Sequence, residues 1–250
     1  MKISVYKNSE ALGKAAAAYT AEILNKCIRE KGKARLLLST GASQFDTLKA
    51  LLEEKVDWSK VEMFHLDEYV GITEEHPASF RKYLKERFVS KINLKQVNFV
   101  NGEGDVAERI EALNREISKA PIDIGLIGVG ENAHIAFNDP PADFDIEDPF
   151  IVVNLDEGCK KQQVGEGWFP TIDDVPKQAI SMSVKQIMKC ETIVSSIPYK
   201  VKAKAVKNML EQEITNLVPA TILKNHPSVS VFLDEDSASA IDENILAQFA

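Results

Sequence analysis

The chain of 250 residues has few cysteines and no excess of positive charge, and each shortage excludes something. Its three cysteines, Cys27, Cys159 and Cys190, are widely spaced and form no C-x-x-C pair, so neither a disulfide framework nor a zinc site is expected. A formal net charge of -8 and a pI near 5.2 argue against general affinity for nucleic acid or anionic membranes. An anionic ligand would need a local basic site set against that global field. No apolar run approaches the ~18 residues of a membrane span, and the opening MKISVYKNSEALGKAAAAYTAEIL lacks the apolar block of a signal peptide. A cytoplasmic protein is therefore expected. Internal repeats, low-complexity tracts and linkers rich in Pro, Gly and Ser are also missing, so one domain spanning 1–250 is expected.

What the chain does have is a regular alternation of strand and helix patterns. KISVY reads as a strand, and Ser9 should cap an Ala-rich helix running to about Lys31. ARLLLST, VEMFHLDEY, VNFVNG and IDIGLIGVG read as strands, with helices in SQFDTLKALLEE, SFRKYLKERFVSKI and VAERIEALNREISK. IDIGLIGVG is apolar on both faces, as central parallel strands are. An irregular acidic stretch follows Pro140 and Pro141, then the strand FIVVNL and a polar segment over 156–176. QAISMSVKQIMKC holds a strand and a short helix, ETIVSSIP and VSVFLDEDS read as strands, and VKAKAVKNMLE as a helix. This rhythm predicts an α/β fold: a single-domain, Rossmann-like, open and mostly parallel sheet with helices on both faces. Ligands of such sheets bind outside the carboxyl ends of the strands, which points to loops 39–44, 66–71, 128–141 and 195–204.

The loop STGASQ carries Thr40, Gly41, Ala42 and Ser43 between a strand and a helix. Small hydroxyl residues and a glycine let backbone N–H groups face an anion, although an ordinary Ser-capped turn has the same composition. The spacing and lysine of a Walker A loop are missing. HLDEYVG ends its strand on Asp67 and Glu68. Side chains alternate along a strand, so the two cannot face the same way: one could be a catalytic base and the other structural. Acidic residues at strand ends are also common as helix caps. VKAKAVKN places Lys202, Lys204 and Lys207 directly after a buried strand, as a local positive patch or as solvated lysines, and DEDS at 234–237 reads as a solvated strand end.

The stretch GVGENAHIAFNDPP, 128–141, admits two readings. GVGENA fits the permissive dinucleotide form G-x-G-x-x-G/A, but that fingerprint needs a long helix behind it. Pro140 and Pro141 forbid one. What remains is a turn at Gly128 and Gly130 presenting His134, with Asn132 two residues before it and Asp139 five after it. A histidine with a carboxylate partner can move a proton near neutral pH.

Taken together, TGAS at 40–43, DEYVG at 67–71, HP at 76–77, GVGENAHIAFNDP at 128–140, VPKQA at 175–179 and KA at 202–203 resemble the glucosamine-6-phosphate deaminase family. The related 6-phosphogluconolactonases share the glycine turn and the histidine but usually continue differently. The resemblance implies an amino sugar phosphate as substrate, no cofactor and no metal, and leaves a homo-oligomer open. It implies Asp67 as the base and His134 with Asp139, beside Asn132, in ring opening. It further implies substrate contacts by Thr40, Gly41, Ala42, Ser43, Glu68, Gly130 and Lys202. Three positions depart from the family pattern. Asn132 stands where the glucosamine enzymes usually carry aspartate and the galactosamine-6-phosphate branch carries asparagine. Asp139 replaces a glutamate. The family's N-S-R-F-F segment, whose arginine grips phosphate, has no clean counterpart in GCKKQQVGEGWF, where Lys161 is the expected substitute. A non-deaminating isomerase, a lactonase and a catalytically silent sensor are the rival readings. The segment 140–155 has no Lys or Arg, so activation by N-acetylglucosamine 6-phosphate is not expected.

Overall fold

Leu36, Leu37 and Leu38 are all fully buried, as a strand covered on both faces requires. Leu37 packs into one apolar cluster, while Leu36 and Leu38 pack into another on the opposite face. The computed structural model describes residues 1–249 and builds outward from this strand. Along the chain, β1 (Lys2–Tyr6) leads into α1 (Ser9–Lys31), and β2 (Ala34–Leu38) into α2 (Phe45–Leu51). β3 (Val61–His65), β4 (Asp67–Tyr69), α3 (Phe80–Arg87), β5 (Gln96–Asn98), α4 (Val106–Ile117) and β6 (Ile124–Leu126) follow. Then come β7 (Phe150–Asn154), α5 (Glu157–Gly165), β8 (Gln178–Met182), α6 (Val184–Ile187), β9 (Thr192–Ile197), α7 (Ala203–Glu211), β10 (Val229–Asp234) and α8 (Glu235–Ala238).

The main sheet has seven strands in the order β1-β10-β9-β6-β2-β3-β5, and every pairing in it is parallel. α1, α2 and α3 cover one face, and α4 and α7 contribute to the core on the other. Between β6 and β2 the strand order reverses, and there the carboxyl ends open a crevice. Among the described residues, no helix is long and apolar enough to cross a membrane.

Four details differ from the sequence expectation. The segment VEMFHLDEY is not one strand. Leu66 donates its N–H to Leu38 in the main sheet (3.1 Å) and accepts from Met182 of β8 (2.9 Å), so the chain changes sheets there. β4 then joins a separate antiparallel sheet, β4-β8-β7, in which Asp67 pairs with Ser181. Second, α1 is capped by Asn8, whose side chain accepts from Ala11 N–H at 2.9 Å, and not by Ser9. Third, the polar segment 156–176 contains α5, capped by Asp156. Its buried residues are only Cys159 and Gln163, too few to leave an apolar period in the sequence. Fourth, Asp234 is no solvated strand end. It is buried, caps α8 through Ser237 N–H (2.8 Å) and accepts from Tyr199 N–H.

Candidate active site

At the sheet's carboxyl edge lies a cleft lined by residues from all four loops singled out by topology. Ser39, Thr40, Gly41, Ala42 and Ser43 come from the end of β2. Gly41 has φ +95, which glycine adopts freely, and its carbonyl is fixed by the Tyr83 hydroxyl at 2.9 Å. The Ser39 hydroxyl is buried without a partner among the described residues. Lys202 enters from the turn before α7 and is 5% exposed. It forms no ion pair among the described residues, and burial lowers the pKa of its ammonium.

Asp67 also lines the cleft. Its carboxylate accepts no hydrogen bond from the described residues, and burial, followed by repulsion from Glu68, raises its pKa to about 8. Glu68 points away, as alternation along β4 demands, and does not line the cleft. It accepts hydrogen bonds from Tyr69, Phe80 and Arg81 N–H, from the Ser79 hydroxyl and from Arg81 Nε. Arg81 in turn donates to the Ile72 carbonyl and Asn101 and pairs with Glu103 at 2.8 Å. Glu68 is thus the anchor of α3 on β4 and does not contact the space open to a ligand.

The turn after β6 delivers His134. Gly130 and Ala133 close it, with Ala133 N–H on the Gly130 carbonyl and Gly130 N–H on the His134 carbonyl. Ala133 has φ +66, a left-handed conformation that costs an L-residue about 1 kcal/mol. A Cβ on Gly130 would lie 2.4 Å from the imidazole, so glycine is required for the ring to pack there. No helix follows this turn, which rules out the dinucleotide reading structurally. His134 Nδ1 approaches Asp139 at 2.9 Å without a straight N–H···O line, as acid–base pairs often do before a ligand closes the site. Although burial opposes it, the contacts from His134 and then from the Asn132 amide hold the Asp139 pKa below its usual value. Asn132 donates to Asp139 (3.0 Å) and accepts from His134 N–H (3.1 Å). It therefore braces the pair from behind and lies outside the cleft.

Lys161 is also outside. Its side chain is 63% exposed on the outer face of α5 and pairs with Glu157. The inner face instead presents Gln162, Gln163 and Glu166, which sequence reasoning missed. Their signal was the i, i+4 spacing of Gln162 and Glu166, legible only once α5 is recognised as a helix. Phe80 and Phe137, both in the cleft lining, stack with their ring centroids 5.8 Å apart. Among the described residues His134, Asp139 and Cys159 form one potential metal-ligating trio, with donor atoms within 4.8 Å of one another. Burial pushes the Cys159 thiol well above its ordinary pKa, which favours it as a protonated neighbour of Asp139.

Residues 7–231 match the family model of glucosamine-6-phosphate isomerases/6-phosphogluconolactonase. A glucosamine-6-phosphate deaminase of Thermoanaerobacter pseudethanolicus is 36% identical over 99% of this chain and 98% of its own length. One from Staphylococcus epidermidis is 36% identical over 89% of this chain and 94% of its own. Among solved structures, a monomeric glucosamine-6-phosphate deaminase superposes with a TM-score of 0.87 at 31% identity, covering 96% of this chain and all of its own. The 6-phosphogluconolactonase of Trypanosoma brucei shares the fold, with a TM-score of 0.79 at 17% identity, covering 96% of this chain and 98% of its own.

Proposed function

Because the chain belongs to the family of glucosamine-6-phosphate isomerases and 6-phosphogluconolactonases, we propose that it is an isomerising deaminase of a 2-amino-2-deoxyhexose 6-phosphate. Glucosamine 6-phosphate and water give fructose 6-phosphate and ammonia. The substrate follows the names of the full-length relatives, and the residue roles follow the chemistry that the cleft allows. Thr40, Gly41, Ala42, Ser43 and Lys202 hold the phosphate, through loop donors and one ammonium.

Ring opening needs a proton taken from the C1 hydroxyl and one delivered to the ring oxygen. His134 lines the cleft, and Asp139, at 2.9 Å from Nδ1, sets the tautomer that leaves Nε2 to do this. Asp67 then takes the proton from C2 and returns it to C1. The double bond moves through an enolamine to an imine at C2, to which water adds and from which ammonia leaves. The raised pKa of Asp67 suits abstraction from carbon, since proton transfer is driven by basicity. The substrate's own ammonium, arriving beside Asp67, favours the ionised carboxylate that the step requires.

The observation that carries this reading is Asp67 itself: a buried carboxylate without a hydrogen-bond partner, in one cleft with the His134–Asp139 pair and a buried lysine. The test measures ammonia and ketose phosphate from glucosamine 6-phosphate and galactosamine 6-phosphate in parallel. Ammonia from the first supports the proposal. Hydrolysis of 6-phosphogluconolactone without ammonia from either sugar overturns it in favour of a lactonase. Asn132 favours keeping the galacto sugar in that comparison. Its amide gives Asp139 a neutral donor where an aspartate would give a second negative charge.

A further inference from the structure

The cleft holds a carboxylate that the chemistry above does not use. Glu166 lines it together with Lys202 and the 39–43 loop. Both its oxygens are fixed, by Gln162 Nε2 at 2.7 Å and by Trp168 Nε1 at 3.0 Å. Gln162 is itself held by Glu131 N–H at 3.1 Å, and the Trp168 ring meets Tyr83, whose hydroxyl binds Gly41. The carboxylate is therefore fixed at both oxygens in the cleft it shares with the loop that would receive the phosphate. Lys202 is the one Lys or Arg lining the cleft, and Glu166 is the leading charge offsetting the effect of burial on its ammonium.

A phosphate dianion placed there meets one ammonium and one carboxylate, and the carboxylate repels it unless a proton lies between them. Two anionic oxygens approach favourably only as O–H···O⁻, a short charge-assisted bond. A phosphate monoester has its second pKa near ~6, so a protonated form is available close to neutral pH. A sulfate ester of the same shape has no such proton.

We propose that Glu166 is a specificity residue that accepts a hydrogen bond from the protonated 6-phosphate, so that the cleft selects phosphate monoanions and rejects isosteric sulfates. This rests on the reading of the cleft as a hexose 6-phosphate site. The test is calorimetric binding of glucitol 6-phosphate and glucitol 6-sulfate to the wild type and to Glu166→Gln at about pH 6. The wild type should favour the phosphate by at least about tenfold, the equivalent of one charge-assisted hydrogen bond. The amide of Glu166→Gln can donate to either anion, so its preference should collapse toward unity. Trp168→Phe removes one donor from Glu166 but keeps the carboxylate, and should retain the preference. A wild type that binds both ligands equally, or a Glu166→Gln ratio unchanged from wild type, overturns the proposal. Should Glu166→Gln fail to fold, Glu166→Ala takes its place, and its ratio should likewise collapse toward unity. A wild type that binds neither ligand and releases no ammonia from an amino sugar 6-phosphate overturns the underlying reading as well.

Discussion

Asp67 and Glu68 are adjacent carboxylates on one three-residue strand, and both are buried, yet their surroundings are opposite. Glu68 is saturated by five donors, four from Ser79, Phe80 and Arg81 at the start of α3 and one from Tyr69 N–H beside it, and through Arg81 it ties β4 to the segment 101–103. Asp67 has been given nothing, and its basicity rises accordingly. A buried group satisfied by the protein is spent on holding shape, whereas one left unsatisfied is free to act on a ligand. The same division recurs on α5, where Lys161 bonds outward to Glu157 while Gln162 and Glu166 turn inward.

The sharpest way to break this contrast is Asp67→Asn. Ammonia release should fall by about 10²–10⁴-fold or more, because the amide cannot accept the C2 proton. Stability should move the other way. The folded value, about 8, lies above the ordinary 3.8, so the folded state holds this proton more tightly than the unfolded chain does. That contribution is complete below about 3.8 and is lost as pH rises through about 8. Near pH 8 the variant should therefore resist denaturant better than wild type, by about 2 kcal/mol or more. The same value, set against the falling fraction of phosphate monoanion above about pH 6, predicts that wild-type kcat/KM climbs with pH to about 6 and then levels off toward about 8, which a rate profile checks. A variant both active and no more stable would remove the distinction between the neighbours.

Glu68→Gln should show the complementary defect. Arg81 would lose its buried counter-charge, at a cost of about 3–5 kcal/mol, read as a lower denaturation midpoint. An unmoved midpoint would mean that the saturated carboxylate is not structural. Lys202→Ala should leave the fold in place and weaken hexose 6-phosphate binding by about 1.5–3 kcal/mol, measured by titration. Lys161→Ala should change neither affinity nor stability by more than about 0.5 kcal/mol, as an exposed helix pair predicts.

Much of this was legible in the chain. The strand and helix rhythm gave the parallel sheet, and its carboxyl edge named the four loops that meet in the cleft. The proline pair after the glycine turn was enough to reject a dinucleotide site. The change of sheet at Leu66 was not legible, because β4 is only three residues long and its partner β8 lies far along the chain. No local pattern reports such a pairing. Alternation said that Asp67 and Glu68 face apart, but only the position of Arg81 decides which one faces the cleft. α5 leaves no apolar period because its inward face is largely polar, which hides Gln162, Gln163 and Glu166 and leaves the charge of Lys161 as the segment's more conspicuous signal.

The pairing of β1 with β10 has a consequence for how the protein is made. Lys2 lies opposite Ser230, so β1 leaves the ribosome 228 residues (230 − 2) ahead of the strand it must pair with. At elongation rates of ~5–20 residues per second that wait is roughly 10–45 s. β9, β6, β2, β3 and β5 can assemble meanwhile, since their mutual pairings need neither β1 nor β10. Docking of the waiting strand buries only Ile3 of its five residues, so the rest of the sheet loses little core by closing without it. The sheet can thus close from its middle outward, with β1 docking last at its edge.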